Sequence, residues 1–325
     1  VMPRKYDKMI FIKDEEIRKL GITPKQCVSW VKDCFTFKPE IQLPAKISVH
    51  PQGIDFFTAM PCLLPKEIGR YNVKVVSRIA GRTPSLKSDS MLFDSKTGKV
   101  LAIIDSDYIT TMRTGAVAAL AVKTFKRTEV KTISFIGLGN TARATMLCLQ
   151  EVLGDNQVVV RLLRYKNQAE LFVEHFKDLS DKITFQIVET KKELFEDADV
   201  IISCITETTG LMYDDVSIFK PGVLIVPVHT RGFQNCDIAF DKVFCDDYSH
   251  VKGFKYFNQF KSLAEIGEVL RGEKAGRSSD DERILCYNVG LGLHDAYYCS
   301  NIYDMLKGED LPGFLMEHKK DKYLI

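Results

Sequence analysis

The stretch Ile133-Ser-Phe-Ile-Gly-Leu-Gly-Asn-Thr-Ala142 decides the fold. Ile133–Ile136 has the apolar and small residues of a buried strand. Gly137-x-Gly139-x-x-Ala142 follows at once, and a helical pattern from Arg143 to Leu153 follows that. Strand, glycine turn and helix in this order form a dinucleotide site. Gly137 permits the tight turn, Gly139 lets a pyrophosphate approach the backbone, and Ala142 lets the helix pack closely on the strand. The phosphates then rest on N–H groups at the helix N-terminus, where Asn140 and Thr141 stand. A purely structural glycine turn is the competing reading.

Downstream, strands and helices alternate. Val158–Leu163, Ile183–Val188, Val200–Cys204, Val223–Val228 and Val243–Cys245 read as strands, and Gln168–Leu179 and Lys191–Ala198 as helices. Near-continuous apolar strands joined by helices predict a parallel sheet covered on both faces. With Ile133–Ile136 they make six, the number of a doubly wound dinucleotide fold. Upstream the pattern changes. A helical face at Pro24–Phe35 precedes the short alternating runs Ala45–Val49, Phe56–Met60, Val73–Val76, Ser90–Phe93 and Val100–Asp105, which suggest an antiparallel or mixed sheet. Gly292–Leu306 is again helical and is expected to return to this first domain. The class is therefore α/β: a doubly wound parallel sheet over 116–294, and a mixed α+β domain formed by 1–115 with 295–325.

Composition narrows the function. The 325 residues carry 45 Lys+Arg against 43 Asp+Glu, a formal net charge of +2, and no basic block is interleaved with aromatics. Nucleic acid is not an expected partner. No apolar run approaches the roughly 18 residues a membrane span needs. The charges from Arg4 to Lys8 are not followed by an apolar stretch, so no signal peptide is expected and the cytoplasm is the expected compartment. Nine cysteines are scattered without a C-x-x-C pair or zinc spacing, so no metal is expected. Cys27, Cys34, Cys148 and Cys204 lie in apolar company and read as core thiols.

The second strand ends Arg161-Leu-Leu-Arg164-Tyr-Lys166, without the acidic residue that holds a free ribose 2′-hydroxyl. Arg164 and Lys166 would instead attract a 2′-phosphate. NADP(H) is therefore expected over NAD(H), which stays possible. Ordinary solvated charges are the alternative.

Two basic residues sit in apolar surroundings. Arg113, in Ile109-Thr-Thr-Met-Arg113-Thr114-Gly-Ala116, is read as opening the helix that continues through Val117–Val122, where its guanidinium could hold a carboxylate in a two-pronged fork. Lys74 interrupts the strand Val73-Lys-Val-Val76, a costly place for a charge unless it is paired or functional. It either binds or protonates a substrate, or is an edge-strand lysine facing water. The remaining histidines, His50, His175, His250, His294 and His318, lie in turns, helices or polar stretches and carry less.

Together these segments resemble the ornithine cyclodeaminase/mu-crystallin family. The resemblance covers nearly the whole chain. It is carried by Phe57-Thr-Ala-Met-Pro61, Val73-Lys-Val-Val-Ser77, Thr97-Gly-Lys-Val-Leu-Ala102, Ile109-Thr-x-Met-Arg113-Thr-Gly-Ala116, the glycine turn, Ala198-Asp-Val-Ile-Ile-Ser-Cys-Ile-Thr206 and Gly290-x-Gly-Leu-His-Asp295-Ala296. It implies a homodimer whose N-terminal domain binds substrate and dimerises, NAD(P)(H) as cofactor, and small amino acids, 2-oxo acids or cyclic imines as substrates.

By the same resemblance the substrate carboxylate is held by Lys46, Lys74 and Arg113. Lys46 departs from the usual arginine, keeping the charge but losing the fork. Thr114, Thr206 and Val289, with Asn288 and Gly290 beside the last, fall at cofactor-contact positions. The aspartate that cyclodeaminases carry after the fifth nucleotide-domain strand falls on His229, a second departure. His229 either donates a proton to an imine or carbonyl or is a wall residue. Asp295 either orients substrate-domain contacts or caps its helix.

The expected activity is hydride transfer at the carbon alpha to a carboxylate, with Lys74 or His229 as proton donor. The alternatives are an ornithine cyclodeaminase-type lyase, an N-(carboxyethyl)glutamate-type opine dehydrogenase, and a non-enzymatic NADPH-dependent carboxylate-binding protein like mu-crystallin. With histidine in place of the aspartate, efficient cyclodeaminase turnover is not expected.

Overall fold

The computed structural model describes residues 6–154, 156–206 and 208–317; His318 lies outside them. The elements in chain order are β1 (Tyr6–Ile12), α1 (Asp14–Lys19), α2 (Pro24–Phe37), β2 (Ile47–Val49), β3 (Phe56–Leu63), β4 (Arg70–Arg78), β5 (Leu86–Asp94), β6 (Val100–Asp105) and α3 (Asp107–Phe125). They continue with β7 (Thr132–Ile136), α4 (Asn140–Leu153), β8 (Val158–Leu163), α5 (Gln168–Phe176), β9 (Ile183–Val188), α6 (Lys191–Phe195), β10 (Val200–Ser203), β11 (Leu224–Pro227), α7 (Cys236–Ala239) and β12 (Lys242–Cys245). The last are α8 (Tyr248–Val251), β13 (Leu263–Glu265), α9 (Ile266–Leu270), β14 (Ile284–Tyr287), α10 (Gly292–Leu306) and β15 (Gly313–Glu317). Two compact units result. One holds the described residues up to 22, 37–110 and those from 292 on; the other holds 23–36 and 111–291.

The first unit is a seven-stranded sheet in the order β15-β1-β6-β5-β4-β3-β2. All its pairings are antiparallel except that of β1 with β6. Period-two alternation divides its faces. Thr58, Met60, Asn72, Lys74, Ser88, Ser90 and Leu92 point to the buried side, where α10 lies across β4 and β3. Phe57, Val75 and Met91 point the other way and are 42%, 39% and 38% exposed. Lys74 pairs in register with Met60 on β3 and Ser90 on β5. It is therefore central in the sheet and fully buried, which overturns the edge-strand reading.

The second unit is an all-parallel eight-stranded sheet in the order β13-β12-β14-β11-β10-β7-β8-β9. From β9 to β14 this is the doubly wound order, with its switch point between β7 and β10. The six expected strands are present. β13 and β14 go beyond them, and β14 inserts between β11 and β12. Phe195, Phe219, Phe233, Phe240 and Tyr287 fill the core on one face.

Helix α2 groups with this second unit rather than with the residues around it in sequence. Its Cys27, Val31, Cys34 and Phe35 are fully buried, and Arg271 Nη1 donates to the Phe35 carbonyl at 2.8 Å. The chain passes between the two units at 22/23, 36/37, 110/111 and 291/292. Arg113 does not open its helix. α3 begins at Asp107, where the Thr110 N–H already donates to the Ser106 carbonyl. The polar first turns concealed this start. Among the described residues no helix is long and apolar enough to cross a membrane.

Candidate functional site

The glycine turn leaves β7 at its carboxyl end. Gly137 has φ +82°, and a Cβ there would come 2.6 Å from the Ile205 amide, so the turn lies against the end of β10 and admits only glycine. Gly139 is the N-cap of the 14-residue α4, and no side chain caps that terminus. Nothing lies within 4 Å of where a Gly139 Cβ would stand. An open backbone in front of uncapped helical N–H groups is the cradle a pyrophosphate requires. Asn140, Thr141 and the fully buried Ala142 form the first turn. Gly115 lets α3 approach α4, since its Cβ would meet the Ala144 backbone at 2.4 Å; Thr114 beside it is half-buried. These residues fit a dinucleotide.

At the end of β8, Arg164 is already engaged. It pairs with Glu170, and its Nε lies 2.7 Å from Glu189 Oε1. Lys166 is exposed, with φ 52° and its Nζ 5.4 Å from the Tyr165 ring centre. The sequence showed two cations here; the fold adds two carboxylates from α5 and from beyond β9.

Thr206 is exposed just past β10. His229 follows β11 and is held on both nitrogens. Nε2 is 2.7 Å from the Ser203 hydroxyl, and Nδ1 accepts the Arg231 N–H at 3.1 Å. With Nδ1 accepting, the ring proton belongs on Nε2. Burial lowers its pKa to about 4, so the ring is neutral near pH 7. That makes His229 a poor proton donor.

Asp246 organises the segment after β14. This buried carboxylate accepts the N–H groups of Val289 at 2.8 Å and Gly290 at 2.6 Å, and His250 Nδ1 stands 2.8 Å from its other oxygen. Val289 is half-buried and Asn288 buried. Gly290, at φ +93°, lies so near Arg113 that a Cβ would be 2.5 Å from its guanidinium nitrogen. Arg113 itself is buried in the second turn of α3.

In the first unit Lys74 Nζ is 2.8 Å from Asp295 Oδ2, with both side chains fully buried. Lys74 also donates to Thr110 Oγ1 at 3.3 Å, and Ser88 Oγ is 2.8 Å from the same hydroxyl. Asp295 stands in the first turn of α10, where the helix dipole favours a carboxylate. The sequence raised Asp295 only as an orienting or capping residue; its pairing with Lys74 became visible once α10 was laid on β4. Lys46 is half-buried just before β2. No group of three or more His, Cys, Asp or Glu among the described residues could hold a metal ion.

An open glycine turn at the switch point of a doubly wound sheet defines a dinucleotide-binding protein. Residues 9–310 match the profile of the Ornithine cyclodeaminase/mu-crystallin family, and the chain belongs to that family. It is similar to the Δ1-pyrroline-2-carboxylate reductase of Bacillus cereus, 27% identical over 66% of this chain and 69% of that one. It is also similar to the alanine dehydrogenase of Archaeoglobus fulgidus, 25% identical over 91% and 94%. Among solved structures, the Thermococcus litoralis Δ1-pyrroline-2-carboxylate reductase, in complex with NADH and L-proline, shares the fold. Its TM-score is 0.82 at 24% identity, covering 94% of this chain and 99% of that one. Fold and family together make the chain an NAD(P)-dependent oxidoreductase.

Proposed function

We propose that the protein reduces, or in reverse oxidises, a small imine, 2-oxo acid or amino acid by hydride transfer at the carbon alpha to its carboxylate. The observation that carries this reading is Lys74: a fully buried ammonium on a central strand, balanced by Asp295. A charge in such a place is costly unless it is used. The names of the relatives, reductases and dehydrogenases of amino and imino acids, support it. Bound NAD(P)H supplies the hydride. Lys46, Lys74 and Arg113 hold the carboxylate, Arg113 by a two-pronged fork, and so fix the reacting carbon. Lys74 delivers the proton to the imine nitrogen or carbonyl oxygen, and Asp295 and Thr110 aim it. His229, neutral and hydrogen-bonded, serves as a wall residue. Gly137, Gly139, Asn140, Thr141 and Ala142 receive the pyrophosphate, with Thr114, Thr206 and Val289 as further cofactor contacts. Turnover of NADPH with a panel of 2-oxo acids plus ammonia and of cyclic imines tests this against a protein that only binds.

NADP(H) is the proposed preference, resting on Lys166 and on Arg164 exchanging a carboxylate partner for the 2′-phosphate. A homodimer is the proposed assembly. Ile47, Val49, Phe57, Val75 and Met91 make an exposed apolar face on one side of the sheet, and such faces mark protein contacts. Light scattering of the wild type and of Phe57→Glu checks it. Histidine in place of the family's aspartate argues against the coupled ornithine cyclodeaminase cycle. Incubation with L-ornithine and catalytic NAD(P)+, following ammonia and proline together, decides that point.

A further inference from the structure

Asp246, just past β12, is a fully buried carboxylate that meets three donors. The Val289 and Gly290 N–H groups donate to Oδ2 at 2.8 and 2.6 Å. His250 Nδ1 stands 2.8 Å from Oδ1, and a carboxylate only accepts, so the ring proton belongs on that nitrogen. His250 is itself held. It lies on α8, whose N-cap Asp247 accepts the Ser249 N–H at 2.8 Å, and the Tyr248 N–H donates to Glu265 Oε1 at 2.9 Å. The turn that Asp246 grips is also tied to its neighbours by backbone. Asn288 N–H donates to the Pro227 carbonyl of β11 at 2.9 Å, and Asp246 N–H donates to the Tyr287 carbonyl at 3.1 Å. This turn leaves the carboxyl end of β14, between β11 and β12, on the edge where open α/β sheets bind ligands.

The same turn bounds Arg113. A Cβ on Gly290 would stand 2.5 Å from Nη1 and 3.4 Å from both Nη2 and Cζ, so the guanidinium lies directly against the Gly290 backbone. The other end of Arg113 is fixed by its helix. Gly115 brings α3 so close to α4 that a Cβ would meet the Ala144 backbone at 2.4 Å. With the helix immobile and the guanidinium flush on the turn, the place of the Gly290 backbone sets where the fork points. Asp246, His250, Val289, Gly290 and Arg113 all belong to the second unit. Water could satisfy two turn N–H groups at a strand end, whereas burying a carboxylate to do so carries a desolvation cost. What the carboxylate adds is a fixed geometry behind a binding group.

We propose that Asp246, with His250 behind it, is a positioning residue for Arg113. It holds the Val289–Gly290 turn in the place that aims the guanidinium at the substrate carboxylate. The inference rests on the role assigned to Arg113 above. Misplacing a binding group by about 1 Å can lower turnover by as much as about a hundredfold.

The test asks whether Asp246 acts through Arg113. Asp246→Asn keeps an acceptor oxygen and loses the charge. It is expected to raise KM for the 2-oxo acid or imine about tenfold, with NADPH affinity within about threefold of wild type. In an Arg113→Lys background, where the fork is already gone, the same substitution should change KM by less than about twofold. His250→Ala should raise KM about threefold, and His250→Asn, whose amide nitrogen takes the place of Nδ1, should restore it. Effects that simply add in the double variant, or NADPH weakened as much as substrate, overturn the proposal and leave the oxidoreductase assignment standing. If no substrate is turned over, that assignment fails, and crystal structures of the wild type and Asp246→Asn decide. An Arg113 guanidinium displaced by about 1 Å or more supports the proposal, and a smaller shift rejects it. Should Asp246→Asn not fold, His250→Ala takes its place in the same comparisons.

Discussion

Lys74 Nζ and Asp295 Oδ2 stand 2.8 Å apart with neither side chain exposed, joining the middle of a seven-stranded sheet to the first turn of the helix that covers it. Removing one member of a buried pair strands the other, a loss typically of about 3–5 kcal/mol. Lys74→Met and Asp295→Asn are each expected to lose stability on that order, whereas the double variant Lys74→Met/Asp295→Leu should recover most of it and remain inactive. Urea unfolding followed by fluorescence, alongside NADPH oxidation, checks both parts. A double variant that regains activity would remove Lys74 from the chemistry.

His229 is expected to be dispensable for proton transfer. Its pKa of about 4 leaves about one ring in a thousand protonated at pH 7, and both nitrogens are occupied. His229→Gln should therefore keep kcat within about tenfold of wild type, a loss below about 1.4 kcal/mol. The shape of kcat against pH from 6 to 8 should not change. A fall of a thousandfold, or a lost ionisation in that range, would restore the histidine as general acid.

The sequence made the nucleotide sheet legible because its signals are local: a glycine turn, apolar strands and helical spacing sit side by side. β13 and β14 lie beyond the six strands that complete the expected set, and β14 enters between two strands that precede it in the chain, an order no local signal carries. α2 was placed by its neighbours in sequence, whereas its buried face packs in the second unit. Site residues divide in the same way. Lys74 and Arg113 stood out as charges in apolar runs. The pairing of Asp295 with Lys74, of Glu170 and Glu189 with Arg164, and of Asp246 with Val289 and Gly290 are side-chain meetings across the fold. No spacing encodes them.

Those carboxylates bear on cofactor choice. A 2′-phosphate must displace Glu170 or Glu189 from Arg164, and the displaced acid stays nearby and repels it. NADPH is expected to bind at least tenfold tighter than NADH, about 1.4 kcal/mol. Glu189→Gln should widen the gap by a further few-fold, while Arg164→Ala should close it. Fluorescence titration of both cofactors measures this. Equal affinities in the wild type would leave Lys166 and Arg164 as ordinary surface charges.

Gly290 and Arg113 form a second sensitive contact. A Cβ on residue 290 would enter the guanidinium and would also be strained at φ +93°. Gly290→Ala is thus expected to displace Arg113 and raise KM for the carboxylate substrate tenfold or more. Arg113→Lys, which keeps the charge and loses the fork, should do the same. NADPH affinity should stay within a few-fold in both. If Gly290→Ala weakens NADPH as strongly as substrate, the glycine serves the cofactor and not the arginine.

Asp237 gives the protein a pH dependence of its own. Its side chain is fully buried, Tyr287 donates to Oδ1 at 2.7 Å, and Oδ2 has no partner among the described residues. Burial raises its pKa from 3.8 to about 7, with the tyrosine bond only partly offsetting this. Between pH 4 and 7 the unfolded chain has lost this proton and the native state keeps it. Stability therefore falls as pH rises through that window and does not return above it. The rise in pKa corresponds to roughly 4 kcal/mol at most. Asp237→Asn still accepts from Tyr287 and carries no charge. Relative to wild type it should gain stability steadily from pH 4 to pH 8, by about 2–4 kcal/mol in total. Urea unfolding of the two proteins at four pH values gives that difference directly, and a difference flat with pH would mean that the native state accommodates the ionised carboxylate.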